Sequence, residues 1–291
     1  MQRSEFHRIR EEIDLHCVSW GDHDHLDKAP FVLVHGLASN ARLWDGVAMQ
    51  LVRRGHPVVA VDQRGHGRSA KPDHGFDMQT VAHDLALLIE SLEFDRPVVV
   101  GQSWGANVVI ELAHSSPDST RGVVAVDGGT IHLQRHFPDW DSCAEQLAPP
   151  NLLGMPASRL EGFIRSAHPA WPEEGILGTL ANMEVLDDGT IRPWLTRDRH
   201  MQVLRGLWEH EPESLFPRIS VPVMFMPAIS SNTAASAGWA ADKREAVERA
   251  INAIPRAKVS WYHDADHDLH AQFPDRVAQE LHDETQSGFF A

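Results

Sequence analysis

The chain has 291 residues and a formal charge of −15, from 26 lysine and arginine residues against 41 aspartate and glutamate residues, with 19 histidines besides. Such an acidic chain, with no basic run beyond an Arg53-Arg54 or Lys243-Arg244 pair, repels phosphate backbones and excludes a nucleic-acid binder. A hydrophobic share of 42% excludes a disordered chain.

In chain order, residues 8–20 alternate polar and apolar side chains and predict a pair of strands with a turn near the middle. Residues 22–28 read as a polar loop. Phe31–Val34 is a short buried strand, ended by His35-Gly36. Apolar residues at 43, 44, 47, 48, 51 and 52 lie on one face of a helix that Gly55 stops. A strand at 57–61, a helix at 79–92, a strand at 98–100, a helix at 104–113 and a strand at 123–126 follow. Strands alternating with helices imply right-handed crossovers and a mainly parallel sheet.

From about 132 to 216 the alternation is lost and prolines are frequent. Short helical patterns appear there at 157–167, 174–183 and 197–209, with a turn at Asp187-Asp188-Gly189. Alternation resumes with a strand at 221–226, a helix at 239–253, a strand at 258–262 and a helix at 272–285. The chain therefore reads as a core domain of residues 1–131 and 217–291 around an insert of residues 132–216.

Two cysteines, Cys17 and Cys143, do not make a disulfide framework. The first fourteen residues carry charges throughout, so no signal peptide is expected. No segment reaches the roughly 18 apolar residues that span a bilayer. A soluble, cytoplasmic protein is expected, a monomer or homodimer with no membrane partner.

The strongest chemical signal is Gly101-Gln102-Ser103-Trp104-Gly105, directly after a strand and directly before a helix. That context is what a nucleophile elbow requires: glycines relieve a tight turn, and the serine hydroxyl stands at a helix N-terminus that favours negative charge. Taken alone, the pentapeptide would also serve as an inert turn. After the strand Phe31–Val34, the loop at His35-Gly36 can give an oxyanion hole the N–H of Leu37, with the other N–H from Trp104. His35, Gly36 and Trp104 would border the substrate.

With Asp62-Gln63-Arg64-Gly65-His66-Gly67-Arg68-Ser69 added, the chain resembles the α/β-hydrolase superfamily over about 31–130 and 220–285. The resemblance implies a mainly parallel eight-stranded sheet flanked by helices, with a helical cap inserted after the sixth strand. It also implies the order serine, acid, histidine. The loop before the last helix offers His263, His267 and His270, and Ala265-Asp266-His267 takes the place of the family's G-x-G-H, so His267 is the expected base and His263 and His270 are expected on the surface. The loop after the strand at 221–226, where much of the family carries its acid, has neither Asp nor Glu up to Asp242. Some branches place the acid after the preceding strand, where this chain has Asp127-Gly128-Gly129, and Asp127 is the expected acid, with Asp242 as the alternative. The stretch 62–69 is mostly structural in the family, which leaves His66 out of the catalytic set.

Asp22-His23-Asp24-His25-Leu26-Asp27 opens like a metal-binding motif, but Lys28 stands where the last ligand would be, so a solvated loop is expected. Serine at the elbow excludes the aspartate nucleophile of dehalogenases and epoxide hydrolases of this fold. The insert carries Trp140, Trp171, Trp194 and Trp208, along with Met155, Phe163, Met183 and Met201. Most of these are expected in a small core of the insert and a minority on the pocket wall. The sequence thus points to a serine hydrolase that cleaves a carboxylic ester or lactone with an apolar acyl or ring group, without a cofactor. Hydrolysis of a carbon–carbon bond and a catalytically weak ligand-binding or sensor protein are the alternatives.

Overall fold

A computed structural model describes residues 2–21, 28–229 and 234–291. Its main sheet has eight strands: β1 (Gln2–Arg10), β2 (Ile13–Trp20), β3 (Phe31–Val34), β4 (Val58–Val61), β5 (Val98–Gln102), β6 (Gly122–Val126), β7 (Val223–Met226) and β8 (Ala257–Val259). Their spatial order is β1-β2-β4-β3-β5-β6-β7-β8. The β1–β2 and β2–β4 pairs are antiparallel and every later pair is parallel.

The valine-rich strands form this sheet because both of its faces are covered. Val32, Val34, Val99, Val123 and Phe225 pack on one side, with α2 (Met78–Ser91) and α3 (Trp104–Ser115). Phe31, Leu33, Val100, Val124 and Met226 pack on the other, with α1 (Asp45–Arg53) and the C-terminal α10 (Pro274–Gln286). Neighbouring residues of one strand thus enter opposite cores, as the two-residue period of a strand dictates. Each such valine or leucine taken out of water contributes about 2 kcal/mol.

Strand β1 extends further toward the N-terminus than the alternation predicted. It is a charged edge strand with one half-buried face, and residues such as Arg3, Ser4 and Glu5 give no apolar signal. Between β6 and β7 the chain forms α4 (Trp140–Leu147), α5 (Ala157–Ala167), α6 (Glu173–Leu180) and α7 (Arg197–Glu209). A small antiparallel hairpin, Met183–Val185 with Ile191–Pro193, closes over the predicted turn at 187–189. Helix α4 and this hairpin were not legible in the helical patterns. Of the aromatic residues expected there, Trp140 and Trp208 flank Arg205, and Trp171 packs with Leu43, Ile176 and Ala271. After β7 come α8 (Ala234–Ala253), β8 and the short α9 (Leu269–Gln272). Among the described residues no helix is long and apolar enough to cross a membrane.

Candidate active site

Strand β5 ends at Gln102 and α3 starts at Trp104, so Ser103 alone makes the turn between them. Its φ of 54° with ψ of −119° lies in a sparsely populated region, which costs about 1–3 kcal/mol and persists only when surroundings enforce it. Two close approaches enforce it here. A Cβ on Gly101 would run into the carbonyl of Gly105, and one on Gly105 would run into the carbonyl of His35 and lie 2.7 Å from that of Val34. Glycine at 101 lets the turn close on itself, and glycine at 105 lets it sit down on the end of β3. Trp104 follows as the first residue of α3, where a helix leaves its N–H without an intrahelical acceptor.

Asp127 directly follows β6, which lies next to β5 in the sheet, and is buried. His267 lies in the loop before α9, with its side chain half-exposed. The structure brings the two together: His267 Nδ1 donates to Asp127 Oδ2 at 2.6 Å. The other carboxylate oxygen, Oδ1, accepts from the backbone N–H of Ala228 at 2.9 Å and from Lys243 Nζ at 2.6 Å. Burial works to raise the Asp127 pKa, but the His267 bond and the Lys243 charge outweigh it and hold the carboxyl below its ordinary value. Burial likewise works to lower the His267 pKa, and the bond to Asp127 with its charge raises it overall. Asp242, the alternative acid, sits exposed on α8 without a bond to His267 among the described residues.

Ser103, Asp127, His267, Lys243 and Asp242 line one cavity of about 600 Å³. The Ser103 hydroxyl is not bonded to the imidazole among the described residues; such contacts often tighten only once substrate is bound. Leu37, Ile131, Phe137, Leu147, Leu204 and Leu207 supply much of the remaining wall, most of it from segment 132–216. The tryptophans and methionines of that segment do not contribute to this wall, contrary to expectation for a minority of them. Trp104 does border the cavity, although its indole is buried and stacked on His66 with centroids 5.2 Å apart.

His35 and Gly36, expected beside the substrate, are both buried and lie off the cavity wall. His35 is committed elsewhere: its Nδ1 donates to Gly36 O at 2.7 Å and its Nε2 accepts from Gln63 N–H at 3.0 Å. Burial keeps that ring neutral by lowering its pKa. The stretch 62–69 continues this lacing. Gln63 Nε2 donates to His35 O at 2.7 Å, His66 Nε2 accepts from Ala38 N–H at 3.3 Å, and Asp62 Oδ1 accepts from Ala41 N–H at 2.7 Å. The loop that carries Leu37 is thereby pinned from behind.

The two histidines set aside in favour of His267 behave differently. His263 is exposed, as expected of a surface residue. His270, also expected on the surface, is instead buried against Trp44 with centroids 4.2 Å apart, and burial pushes its pKa down to about 3. Two residues went unread in the sequence. Lys243, between Asp242 and Arg244, carries no local sequence signal. Asp266, read as a replaced glycine, accepts from Trp171 Nε1 at 2.8 Å and ties the His267 loop to segment 132–216.

A second serine–histidine–aspartate chain occurs at the far edge of the sheet. Ser4 Oγ lies 2.8 Å from His16 Nε2, and His16 Nδ1 donates to Asp62 Oδ2 at 2.8 Å. The run considered for metal binding, 22–27, lies outside the described residues. Among the described residues no three or more His, Cys, Asp or Glu are grouped to hold a metal ion.

A 2-(acetamidomethylene)succinate hydrolase of Mesorhizobium japonicum is 26% identical over 251 residues, which is 86% of this chain and 88% of its own. The crystal structure of an E-2-(acetamidomethylene)succinate hydrolase superposes with a TM-score of 0.79 at 23% identity, over 97% of this chain and 98% of the other. A thioesterase domain from the curacin biosynthetic pathway superposes with a TM-score of 0.76 at 20% identity, over 97% and 99%. At these identities the structural likeness speaks for the fold. The sequence model of the alpha/beta hydrolase family matches residues 31–280. Strand order, elbow and family match agree, and the chain is a member of the alpha/beta hydrolase family.

Proposed function

We propose that this hydrolase cleaves a carboxylic ester or lactone with an apolar acyl or ring group, through an acyl-enzyme on Ser103. The observation that carries the reading is the 2.6 Å bond from His267 Nδ1 to the buried Asp127, in the cavity that Ser103 also lines. That bond fixes the proton on Nδ1, so Nε2 is the nitrogen free to act as a base.

Ser103 Oγ attacks the carbonyl carbon while His267 Nε2 takes the hydroxyl proton. The carbonyl π pair moves onto oxygen, and the N–H groups of Leu37 and Trp104 hold the oxyanion. Asp127 balances the imidazolium. The C–O bond to the leaving group then breaks, and the alkoxide takes the proton from Nε2. Water adds to the acyl-enzyme with His267 as base, and the acid departs as Ser103 recovers its proton.

The wall supports an uncharged substrate. A dicarboxylate, such as the name of the Mesorhizobium enzyme implies, needs cationic partners. Among the described wall residues the lysine is Lys243, already bound to Asp127, no arginine is present, and burial holds His200 neutral by lowering its pKa to about 4; besides His267, His136 is the further histidine of a wall that is otherwise largely apolar. The second chain at Ser4 supplies no rival reading. Ser4 is exposed in the middle of an extended strand, with neither a strained turn nor a helix N-terminus to place its hydroxyl.

A fluorophosphonate probe should label Ser103 and spare Ser4, and Ser103→Ala should abolish hydrolysis of p-nitrophenyl esters while the protein stays folded. An active Ser103→Ala enzyme would sink the mechanism. Labelling at Ser103 without cleavage of any ester in a chain-length series would turn the reading toward carbon–carbon bond hydrolysis.

A further inference from the structure

We propose that Lys243 is a positioning residue for the Asp127–His267 pair and that its ammonium sets the pH at which His267 becomes a free base. The proposal rests on the serine-hydrolase reading above. Its geometric part is a division of labour between the two oxygens of one carboxylate. Oδ1 receives Lys243 Nζ at 2.6 Å and Ala228 N–H at 2.9 Å, and Oδ2 receives His267 Nδ1 at 2.6 Å. Lys243 Nζ also donates to Ala228 O at 2.8 Å, so the lysine, the carboxylate and the exit of β7 close on one another. A carboxylate held on its remote oxygen by two donors cannot swing away from the imidazole when the cavity fills. Holding it in advance is worth more than forming the same contacts during the reaction.

Lys243 is two-thirds buried and comes from α8, whereas Asp127 and His267 come from the end of β6 and the loop before α9. The site is therefore assembled from a fourth element that the serine, acid and histidine do not include.

The second part is electrostatic. Asp127 faces His267 from β6, and Asp268 is its neighbour in the loop; both favour the imidazolium. Asp266 of the same loop is engaged with Trp171, and the His270 ring of α9 is buried and neutral. Asp242 stands beside Lys243 on α8 and lines the same cavity. His168 lies 3.4 Å from Asp266, and among the described residues Lys243 is the lysine that opposes these carboxylates, at Asp127. Removing it leaves the Asp127 charge undiluted, so the imidazole keeps its proton to higher pH. A lysine that served packing alone would lower the rate plateau and leave the titration where it was.

The test reads the imidazole directly. The His267 signal is followed by NMR titration of ¹⁵N-histidine-labelled Ser103→Ala protein, with and without Lys243→Met, and is assigned by its loss in His267→Gln. The expected result is a midpoint about one pH unit higher in the Lys243→Met protein, a tenfold gain in proton affinity. Lys243→Arg should keep the parent's midpoint. Coincident midpoints for the Met variant and its parent overturn the proposal. If the Met variant unfolds, Lys243→Gln at the same site provides the comparison. This readout needs no turnover, so it stands apart from the hydrolase reading, which labelling of Ser103 decides. In the active enzyme the acid limb of kcat/KM should move up by the same amount. A lowered plateau with an unmoved limb overturns the proposal as well.

Discussion

The Asp127 carboxylate meets three partners, and each constrains what a substitution there would do. In Asp127→Asn an amide takes the place of the carboxylate, so His267 loses both the charge that balances its imidazolium and the acceptor that fixes its tautomer. The expected loss in kcat is about 10⁴-fold. Asp242→Asn should lower kcat far less, since Asp242 does not bond His267 among the described residues. Steady-state kinetics on the two variants check the assignment, and a larger loss at Asp242 would transfer the role there. Ser103 was legible because its glycines and flanking elements are all local in sequence. His267 was chosen among three histidines by its place in a loop, which the family order supplied. Asp127 emerged because the loop after β7 lacks a carboxylate. Lys243 was not legible: Asp242, Arg244 and Glu245 beside it read as an ordinary solvated face, and only the fold turns Lys243 inward.

Among the elements, the parallel strands were readable because burial on both faces leaves near-continuous valine runs. The polar N-terminal part of β1 and the three-residue strands at 183–185 and 191–193 were not, the first because it is not apolar and the others because they are too short to show a period. The approach of α3 to the end of β3 is a close backbone contact, and Gly105 makes it. A methyl group there meets backbone carbonyls, which do not rotate away as side chains do. Gly105→Ala should destabilise the protein by about 3 kcal/mol, the upper range for overpacking. It should also move Ser103 and cut activity in the fraction that folds. Urea unfolding with parallel probe labelling checks this, and unchanged values of both would show that α3 can shift without harm.

For the whole molecule, the abundance of histidine matters more to stability than to chemistry. Burial lowers His56 and His200 to about 4 and His270 to about 3, whereas an unfolded chain binds these protons near 6.5. Between those values the unfolded state holds more protons, so stability is present above about pH 6.5 and is lost as pH falls toward 4. Denaturant midpoints should therefore drop from pH 7 to pH 5, with His270 alone accounting for something on the order of 2 kcal/mol. His270→Phe should flatten that decline, and an identical decline in the variant would refute the assignment. The Asp266–Trp171 bond joins the loop of His267 to the segment that supplies much of the cavity wall, and Asp266 N–H in turn donates to Gln272. That segment is consequently not freely interchangeable. A transplanted replacement without an indole at position 171 and an imidazole at position 168 would strip Asp266 of both its partners in that segment and leave the histidine loop more loosely moored.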